Sequence, residues 1–458
     1  MKGGFCEECF KKQRRIDKLT EEVEALKARL RYQKRKEKEG FFGSSTPSSK
    51  TPVKANSLEE NQKKRGGAKP GHEGHGRKPI APDQADHIYT VESPVQGSCP
   101  RCHGKNLVEV ETDRSIIESV PLKAEKVLYH LKGTLCRDCR VVFRAKAPSV
   151  MPKALYGNQL LTNVAVMHYG QGVPLGRLEE MLGVPYSAMV QMLHRLARML
   201  TGIPPRLIEQ YRKSPVMHAD ETSWRTDGGN GYAWLFATDR LSLFEFRNTR
   251  SQSVPAAILG TKRLAGTLVT DRYVGYNKAP CPQQYCYAHL HRTLIDLGEE
   301  FTDNAEARAF VDAAAPLLAA AMSLRSQPIS DEEYYRQATL IARQIKKIMA
   351  ADAQHLAIRN LQSIFRENKK KLYRWAEDRR IPADNNLAER DLRPTVIARK
   401  VSFGSQSEEG AKTRGILMTV LHTMRKQAPN DYRQRFKSAL DRLAQNPKAD
   451  PYDLLFPP

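Results

Sequence analysis

The sequence contains no long apolar run, and this absence narrows the classes of protein it can encode. Its longest apolar stretch, residues 313–322, is interrupted by Pro316 and is shorter than the roughly 20 residues that a membrane-spanning helix needs. The first fifteen residues, MKGGFCEECFKKQRR, lack the apolar segment of a secretory signal. We therefore expect a cytoplasmic protein with no membrane partner.

Acidic residues are few beside basic ones. The chain has 74 lysines and arginines against 51 aspartates and glutamates, a net charge of +23 over 458 residues. Such an excess favours a polyanionic partner, and with a membrane set aside the partner expected is nucleic acid. The length and a hydrophobic content of 40% predict several domains with cores of their own.

Disulfides are not expected, because thiols stay reduced in the cytoplasm. Two of the C-x-x-C pairs lie 33 residues apart, with an alternating, strand-like segment between them. Four thiolates in two such turns are typical of a zinc ribbon with one structural Zn²⁺. We assign this domain to residues 91–148, with buried unliganded thiols as the alternative. The proposed ligands are Cys99, Cys102, Cys136 and Cys139.

The third pair, Cys6 and Cys9, could bind a second zinc together with His72 and His75. The glycines that flank both histidines favour a flexible turn instead.

The N-terminal 90 residues combine a short apolar repeat with a basic, polar stretch. Residues 1–37 carry a heptad spacing that predicts a two-stranded parallel coiled coil and hence a homodimer, with a single docked amphipathic helix as the alternative. The apolar positions are Ile16, Leu19, Val23, Leu26 and Leu30. Residues 38–90 form a basic linker. It is either solvated or lies along DNA phosphates, and the two interpretations are compatible.

Residues 150–205 predict three helices, at 158–168, 175–182 and 187–200. The break at Gly183 and the apolar face of the last helix fit a helix-turn-helix-like, DNA-binding domain. Arg195 and Arg198 lie off that face and are candidates for DNA contact. Ordinary helical packing is the alternative.

From residue 210 the pattern changes to strands. The order of three strands, a helix and a further strand over residues 210–290 predicts the first part of a ribonuclease-H-like α/β core, in which the first and fourth strands are neighbours. Asp220 and Asp271 follow apolar segments of those two strands and should lie together. Paired carboxylates of this kind commonly hold two Mg²⁺ ions in nucleases, although strand-terminal aspartates are also common in turns.

A third carboxylate is expected after an all-helical insertion at residues 291–380. Residues 381–430 predict the final helix of the core, which begins with Glu389 in its first turn, and residues 431–458 a C-terminal tail. Asn386 and Glu389 also have capping-box spacing, so spacing alone leaves open that Glu389 only caps the helix.

Five motifs occur in a fixed order: VPLGRLEEMLGV, MHADETSW, LVTDRYVGYN, CYAHLHR and DNNLAERDLRP. With them, nearly the whole chain resembles the DDE-type transposases of insertion-sequence family sixty-six. The resemblance implies that Asp220, Asp271 and Glu389 are the catalytic triad and bind two Mg²⁺ or Mn²⁺ ions. Basic residues near the third acid are then candidates for phosphate contact, unless they form a solvated helix face. They are Arg390, Arg393, Arg399 and Lys400.

The same resemblance implies the partners. A bacterial, nucleoid-associated enzyme would act on double-stranded transposon ends and target DNA, as a dimer or larger assembly, with helper proteins encoded by the element. Two alternatives remain open: a ribonuclease-H-like nuclease without strand transfer, and a domesticated DNA-binding protein that has lost catalysis. In CYAHLHR, His291 stands where the family usually has a basic residue.

Overall fold

The computed structural model describes residues 147–457 without a break. Before them it describes residues 12, 15–16, 19–20, 22–23, 27, 82–84, 103, 105, 123–128, 130, 133–135 and 142–144. The chain divides into two compact units, residues 53–123 and the remainder. In the smaller unit a short 3-10 turn spans Pro82–Gln84. The six cysteines of the C-x-x-C pairs, and both histidines of the second zinc prediction, lie outside the described residues.

Near the N-terminus, the residues described between positions 12 and 27 are helical. Ile16, Leu19 and Val23 have between 46% and 55% of their surface exposed, so these three apolar side chains are open to a partner. Further along, Gly133–Leu135 pairs antiparallel with Val142–Arg144. This hairpin brackets the segment of sequence that carries Cys136 and Cys139.

The centre of the larger unit is a six-stranded mixed sheet. Its strands are β1 (Val216–Thr226), β2 (Gly229–Ala237), β3 (Ser242–Arg247), β4 (Thr267–Thr270), β5 (Gln283–Tyr285) and β6 (Gly404–Ser405). They lie in the order β3-β2-β1-β4-β5, with β6 pairing to the end of β1. The predicted neighbourhood of the first and fourth strands is therefore confirmed.

Strands β1, β2 and β3 form an antiparallel meander, whereas β4 and β5 run parallel to β1. The turn between β1 and β2 is Asp227-Gly228, and both residues have positive φ, 50° and 70°. A two-residue loop with this geometry matches the right-handed twist of the strands it joins. The Asp-Gly turn thus fixes the register of β1, the strand that carries Asp220.

Within residues 147–457, fifteen α-helices surround and extend the sheet. They are α1 (Asn158–Ala165), α2 (Leu175–Leu182), α3 (Tyr186–Met199), α4 (Ile203–Lys213), α5 (Ser253–Leu259), α6 (Tyr287–Glu300), α7 (Ala305–Leu324), α8 (Asp331–Ala350), α9 (Leu356–Glu367), α10 (Lys369–Leu372), α11 (Arg374–Glu377), α12 (Asn386–Ser402), α13 (Glu408–Gln427), α14 (Tyr432–Gln445) and α15 (Pro451–Leu455). The mixed α/β core with many helices agrees with the predicted fold class.

Helices α1 to α3 match the three predicted helices, and Gly183 ends α2 in the left-handed conformation, with φ of 65°. They do not form a detached domain. Leu178, Leu193 and Leu196 belong to the same hydrophobic core as the central strands, and α3 packs on α13. Their apolar faces are therefore buried against the central sheet and its helices.

Helices α6 to α11 form the insertion, which has a hydrophobic core of its own around Tyr287, Phe365 and Trp375. It begins at α6, directly after β5, rather than at residue 291. Among the described helices, α7 is the one that is long and apolar enough to cross a membrane. It contains Pro316 and packs between α6 and α8, as a core helix of the insertion does.

The predicted C-terminal tail is instead two helices. Helix α14 buries Phe436 and Leu440 completely, and α15 buries Leu455. The segment YRQRFKSALDRLAQ is rich in charge. Its apolar residues recur at helical spacing, however, and that face closes the main core.

Candidate active site

Strands β1 and β4 bring two aspartates together. Val216, Met217 and His218 pair in parallel with Thr267, Leu268 and Val269. Two residues beyond the last pair, the chain reaches Asp220 on β1 and Asp271 at the end of β4. Both are buried, with 1% and 6% of their surface exposed. The strand register thus puts the two aspartates at neighbouring positions of the sheet.

Each aspartate accepts one backbone hydrogen bond. Oδ1 of Asp220 accepts from the N–H of Glu221, and Oδ1 of Asp271 accepts from the N–H of Tyr273, both at 2.9 Å. Burial raises the pKa of Asp271, while the Tyr273 N–H and the charge of Arg250 act in the opposite direction. A raised pKa means that the ionised form of Asp271 lacks sufficient positive charge nearby.

Helix α12 carries the third acid and is fixed to β1 at both ends. Asn385 donates from Nδ2 to the carbonyl of Ala219 at 2.9 Å, and its Oδ1 lies 2.9 Å from Nδ1 of His218. At the far end, Nη1 of Arg399 donates to Thr222 Oγ1 at 2.7 Å and to the carbonyl of Ser223 at 2.8 Å. The two anchors bracket Asp220 on the strand.

Glu389 does not act as a helix cap. The N-cap residue of α12 is Asn385, which makes no side-chain cap bond, because its amide is used on β1. Within the described part of the chain, Oε1 of Glu389 is buried and has no hydrogen-bond partner. A buried carboxylate oxygen without a donor is costly unless a cation satisfies it.

The charges around Glu389 fit that explanation. Burial raises its pKa. Arg292 and Arg393 lower it, and Asp384 and Asp271 raise it. The effect of Asp271 links Glu389 electrostatically to the aspartate pair. A carboxylate cluster with an unsatisfied oxygen has the chemistry of a divalent-cation site, so the residues present fit the expected metal.

A fourth acid, Glu221, was missed by the sequence analysis. It is fully buried, accepts from Nε of Arg250 at 2.9 Å and from Oη of Tyr276 at 2.7 Å. Burial and the charge of Asp271 raise its pKa to about 7, although Arg250 opposes this. Successive side chains alternate across a strand, so Glu221 lies behind Asp220. Its adjacency to Asp220 in ADETSW was the available signal.

Two further residues missed as site components are Cys286 and His289. Their ligand atoms and that of Glu389 all lie within 4.8 Å of one another. The C-x-x-H spacing in CYAHLHR was the signal, and it was used only as a point of resemblance. His291, in the same motif, is half-buried on α6.

The candidate DNA-contact residues differ in their surroundings. On α12, Arg390, Arg393 and Lys400 are exposed, so they are free to meet phosphates in solution. Arg399 is instead held by β1, and this anchoring replaces its expected role.

On α3, both arginines are exposed but already have protein partners. Arg195 donates to the carbonyls of Pro152 and Lys153, and Arg198 forms a 3.0 Å ion pair with Glu409. Exposed pairs of this kind are weak and can be exchanged for phosphate. The proposed zinc ligands, Cys99, Cys102, Cys136 and Cys139, lie outside the described residues.

A basic chain with a buried carboxylate cluster on a mixed sheet is typical of an enzyme that acts on nucleic acid. The comparisons with known proteins agree with this class. The model of the Transposase IS66 family matches residues 153–413, more than half of the chain, and the protein belongs to this family. The matched segment contains Asp220, Asp271 and Glu389, and the resemblance stated from the motifs is confirmed.

Two relatives extend the likeness towards the N-terminus. The uncharacterized protein y4qI of Sinorhizobium fredii (strain NBRC 101917 / NGR234) is 26% identical over 419 residues, covering 81% of this chain and 76% of the relative. The uncharacterized protein y4hP of the same strain is 22% identical over 428 residues, covering 83% and 76%.

Proposed function

We propose that this transposase cleaves transposon ends and joins their 3′-hydroxyl groups to target DNA, on a ribonuclease-H-like core. Asp220, Asp271 and Glu389 would be the metal-ligating triad. The observation that carries the proposal is the buried, unpartnered Oε1 of Glu389 beside two buried aspartates at neighbouring strand positions. A helix cap or a turn aspartate has no need of such an arrangement.

The three carboxylates would hold two Mg²⁺ or Mn²⁺ ions, as oxygen ligands suit these hard cations. Once bound, such a pair activates a water or a 3′-hydroxyl as nucleophile and stabilises the leaving oxygen. The protein's part is orientation. Asn385 and Arg399 hold α12 against β1, which keeps Glu389 facing Asp220 and Asp271.

The DNA would be bound by positive charge around this site. Arg390, Arg393 and Lys400 are exposed on the helix that carries Glu389, and arginine and lysine contacts to phosphates supply much of the affinity for DNA. Arg195 and Arg198 on α3 are further candidates, each able to exchange a weak surface partner for a phosphate.

The remaining components are proposed on sequence evidence. One structural Zn²⁺ would be bound by the four cysteines of residues 91–148. Exposure of Ile16, Leu19 and Val23 supports a coiled-coil homodimer, which would pair two transposon ends. Helper proteins from the same element would complete the assembly.

Asp271→Asn tests the site. This near-isosteric change removes the charge, so cleavage of transposon-end DNA should fall by at least about 100-fold, while affinity for that DNA changes little. Gel-based cleavage and equilibrium binding measure the two effects. The control is Asp303→Asn, at an exposed position of the insertion. Cleavage at the wild-type rate in Asp271→Asn would show that the triad is misassigned.

Strand transfer is tested with transposon-end DNA that already carries a free 3′-hydroxyl, incubated with a plasmid target. The proposal expects joined products that require Asp271. Cleavage of intact ends without any joined product would favour the ribonuclease-H-like nuclease. Binding without cleavage or joining would favour the domesticated DNA-binding protein.

A further inference from the structure

A thiol and an imidazole lie beside Glu389 and form a second group of potential ligands. Cys286 is the N-cap residue of α6, and His289 lies in the first turn of that helix. Residues three apart share one helix face. That face meets the first turn of α12, so the ligand atoms of Cys286, His289 and Glu389 fall within 4.8 Å of one another.

Two of these three ligand groups contain a buried atom without a partner. Nδ1 of His289 and Oε1 of Glu389 make no hydrogen bond within the part of the chain that the structure describes. Leaving a buried polar atom unpaired costs about 1–3 kcal/mol, and native proteins contain few such atoms without a reason. Two of them beside one thiol indicate a shared cationic ligand.

Backbone N–H groups stabilise negative charge on the sulfur of Cys286 only in part, because burial and the nearby carboxylates outweigh them. Sγ of Cys286 accepts the backbone N–H of Asn385 at 3.2 Å and lies at the positive end of α6. Burial raises the pKa of this thiol, and the charges of Glu389 and Asp384 raise it further, while the N–H groups of Asn385 and His289 lower it. A coordinated cation would complete this stabilisation, because a coordinating thiol is deprotonated outright.

We propose that Cys286, His289 and Glu389 bind a thiophilic divalent cation of the Zn²⁺ class. One sulfur, one nitrogen and one oxygen ligand suit Zn²⁺ or Co²⁺ and do not suit Mg²⁺, which takes oxygen ligands. In a tetrahedral zinc site the ligand atoms lie roughly 3.4–3.6 Å apart, which the 4.8 Å limit accommodates. Three protein ligands leave a fourth position for water.

The site has a consequence for the proposed function. This consequence, unlike the site itself, rests on that function. Glu389 belongs to both ligand sets, so a thiophilic ion bound through Cys286 and His289 would withdraw it from the Mg²⁺ ions. Zn²⁺ would then inhibit Mg²⁺-dependent cleavage by competing for one carboxylate.

The test is a Co²⁺ titration of the full-length protein, followed by the near-ultraviolet absorption of sulfur-to-cobalt charge transfer. The four cysteines of residues 91–148 should also bind Co²⁺, so variants are compared by difference. We expect Cys286→Ser to lose one equivalent of Co²⁺ and its share of the absorption. The matched control, Cys281→Ser, should behave as wild type, because Cys281 is half-buried in the loop before β5.

A second variant tests the site in case Cys286→Ser does not fold. His289→Gln keeps the sulfur but should weaken Co²⁺ binding at this site by roughly tenfold or more, and thermal melting checks that each variant is folded. If Cys286→Ser does not fold, His289→Gln decides the question. Unchanged stoichiometry and affinity in the folded variants would overturn the proposal. Asp271→Asn should keep the wild-type Co²⁺ spectrum, so failure of this site and failure of the proposed catalysis are distinguishable.

Discussion

Asn385 connects the strand of the first aspartate to the helix of the glutamate. Its side chain is 1% exposed. Its Nδ2 donates to the carbonyl of Ala219 and its Oδ1 accepts from Nδ1 of His218, while its backbone carbonyl accepts the N–H of Glu389 at 3.2 Å. One residue therefore sets the distance between β1 and the first turn of α12.

Replacing Asn385 should loosen this junction. Asn385→Ala leaves a buried carbonyl and a buried imidazole without their partner, so the free energy of unfolding should fall by about 1–3 kcal/mol. Cleavage should fall as well, because Glu389 is no longer held against β1. Urea denaturation measures the first effect. Asn386→Ala is the control, since Asn386 is exposed. Equal stability of the two variants would rule out the anchoring role.

At the scale of the element, α12 combines an anchored inner face and an exposed outer face. Thr395 and Ala398 are buried and Arg399 bonds to β1, whereas Arg393, Ile397 and Lys400 are exposed. Arg399 and Lys400 are neighbours in the sequence, yet one anchors the helix to β1 and the other is open to solvent.

Two variants that each remove one positive charge separate these roles. Arg399→Met should lower the free energy of unfolding by about 1–3 kcal/mol, because the oxygens of Thr222 and Ser223 lose their common donor. Lys400→Met should leave stability within about 0.5 kcal/mol but weaken DNA binding and lower its salt dependence. Denaturation and fluorescence anisotropy report the two properties. The assignment is wrong if Arg399→Met keeps full stability while only DNA affinity drops.

The two strands that carry the aspartates were predictable from the sequence. Strands β1 and β4 have apolar residues up to their aspartates, so the meeting of Asp220 and Asp271 followed from strand order alone. Glu389 did not follow, because capping-box spacing and ligand spacing are identical along a chain. Only the tertiary contacts of Asn385 exclude the cap.

Features that depend on two distant segments could not be derived. Cys286 and Glu389 are separated by the whole insertion, and no local pattern indicates that α6 and α12 begin at the same point in space. Helix α14 was missed for a different reason. Charged residues are interspersed with its apolar ones, and only the presence of an uncovered core face makes it fold there.

At the scale of the whole molecule, buried histidines should make the fold sensitive to acid. His422, on α13, donates from Nε2 to the carbonyl of Tyr169 at 3.1 Å, and burial lowers its pKa to about 4. Below pH 6.5 this side chain is protonated in the unfolded chain, whereas it stays neutral in the folded chain until the pH nears 4. The contribution of neutral His422 is thus complete above pH 6.5 and is lost as the pH falls towards 4.

Buried acids with a raised pKa, such as Glu221, change the stability with pH in the opposite direction. A variant of His422 separates the contribution of this histidine from theirs. We compare the unfolding free energies of wild type and His422→Gln at pH 7.5 and at pH 5. Relative to the variant, the wild type should lose about 2 kcal/mol at the lower pH. Urea denaturation at the two pH values measures it. A constant difference for His422→Gln would mean that this histidine is protonated in the folded protein.

The charge of the whole chain predicts how DNA binding responds to salt. Residues 1–80 carry 21 basic and 11 acidic side chains. If the basic linker lies along DNA, each phosphate contact adds about 0.9 to the slope of log affinity against log salt concentration. Removing Lys63, Lys64 and Arg65 together, by substitution with alanine, should then lower the slope by up to about 2.7. If the linker is solvated, the slope should change only by the general electrostatic effect of removing charge. Replacing the exposed pair Lys369 and Lys370 by alanine measures that general effect. The slope change per removed charge is then compared between the linker variant and the Lys369 and Lys370 variant. If the linker variant shows no larger change, the linker lies in solvent, and α12 and α3 remain as the phosphate-binding surfaces.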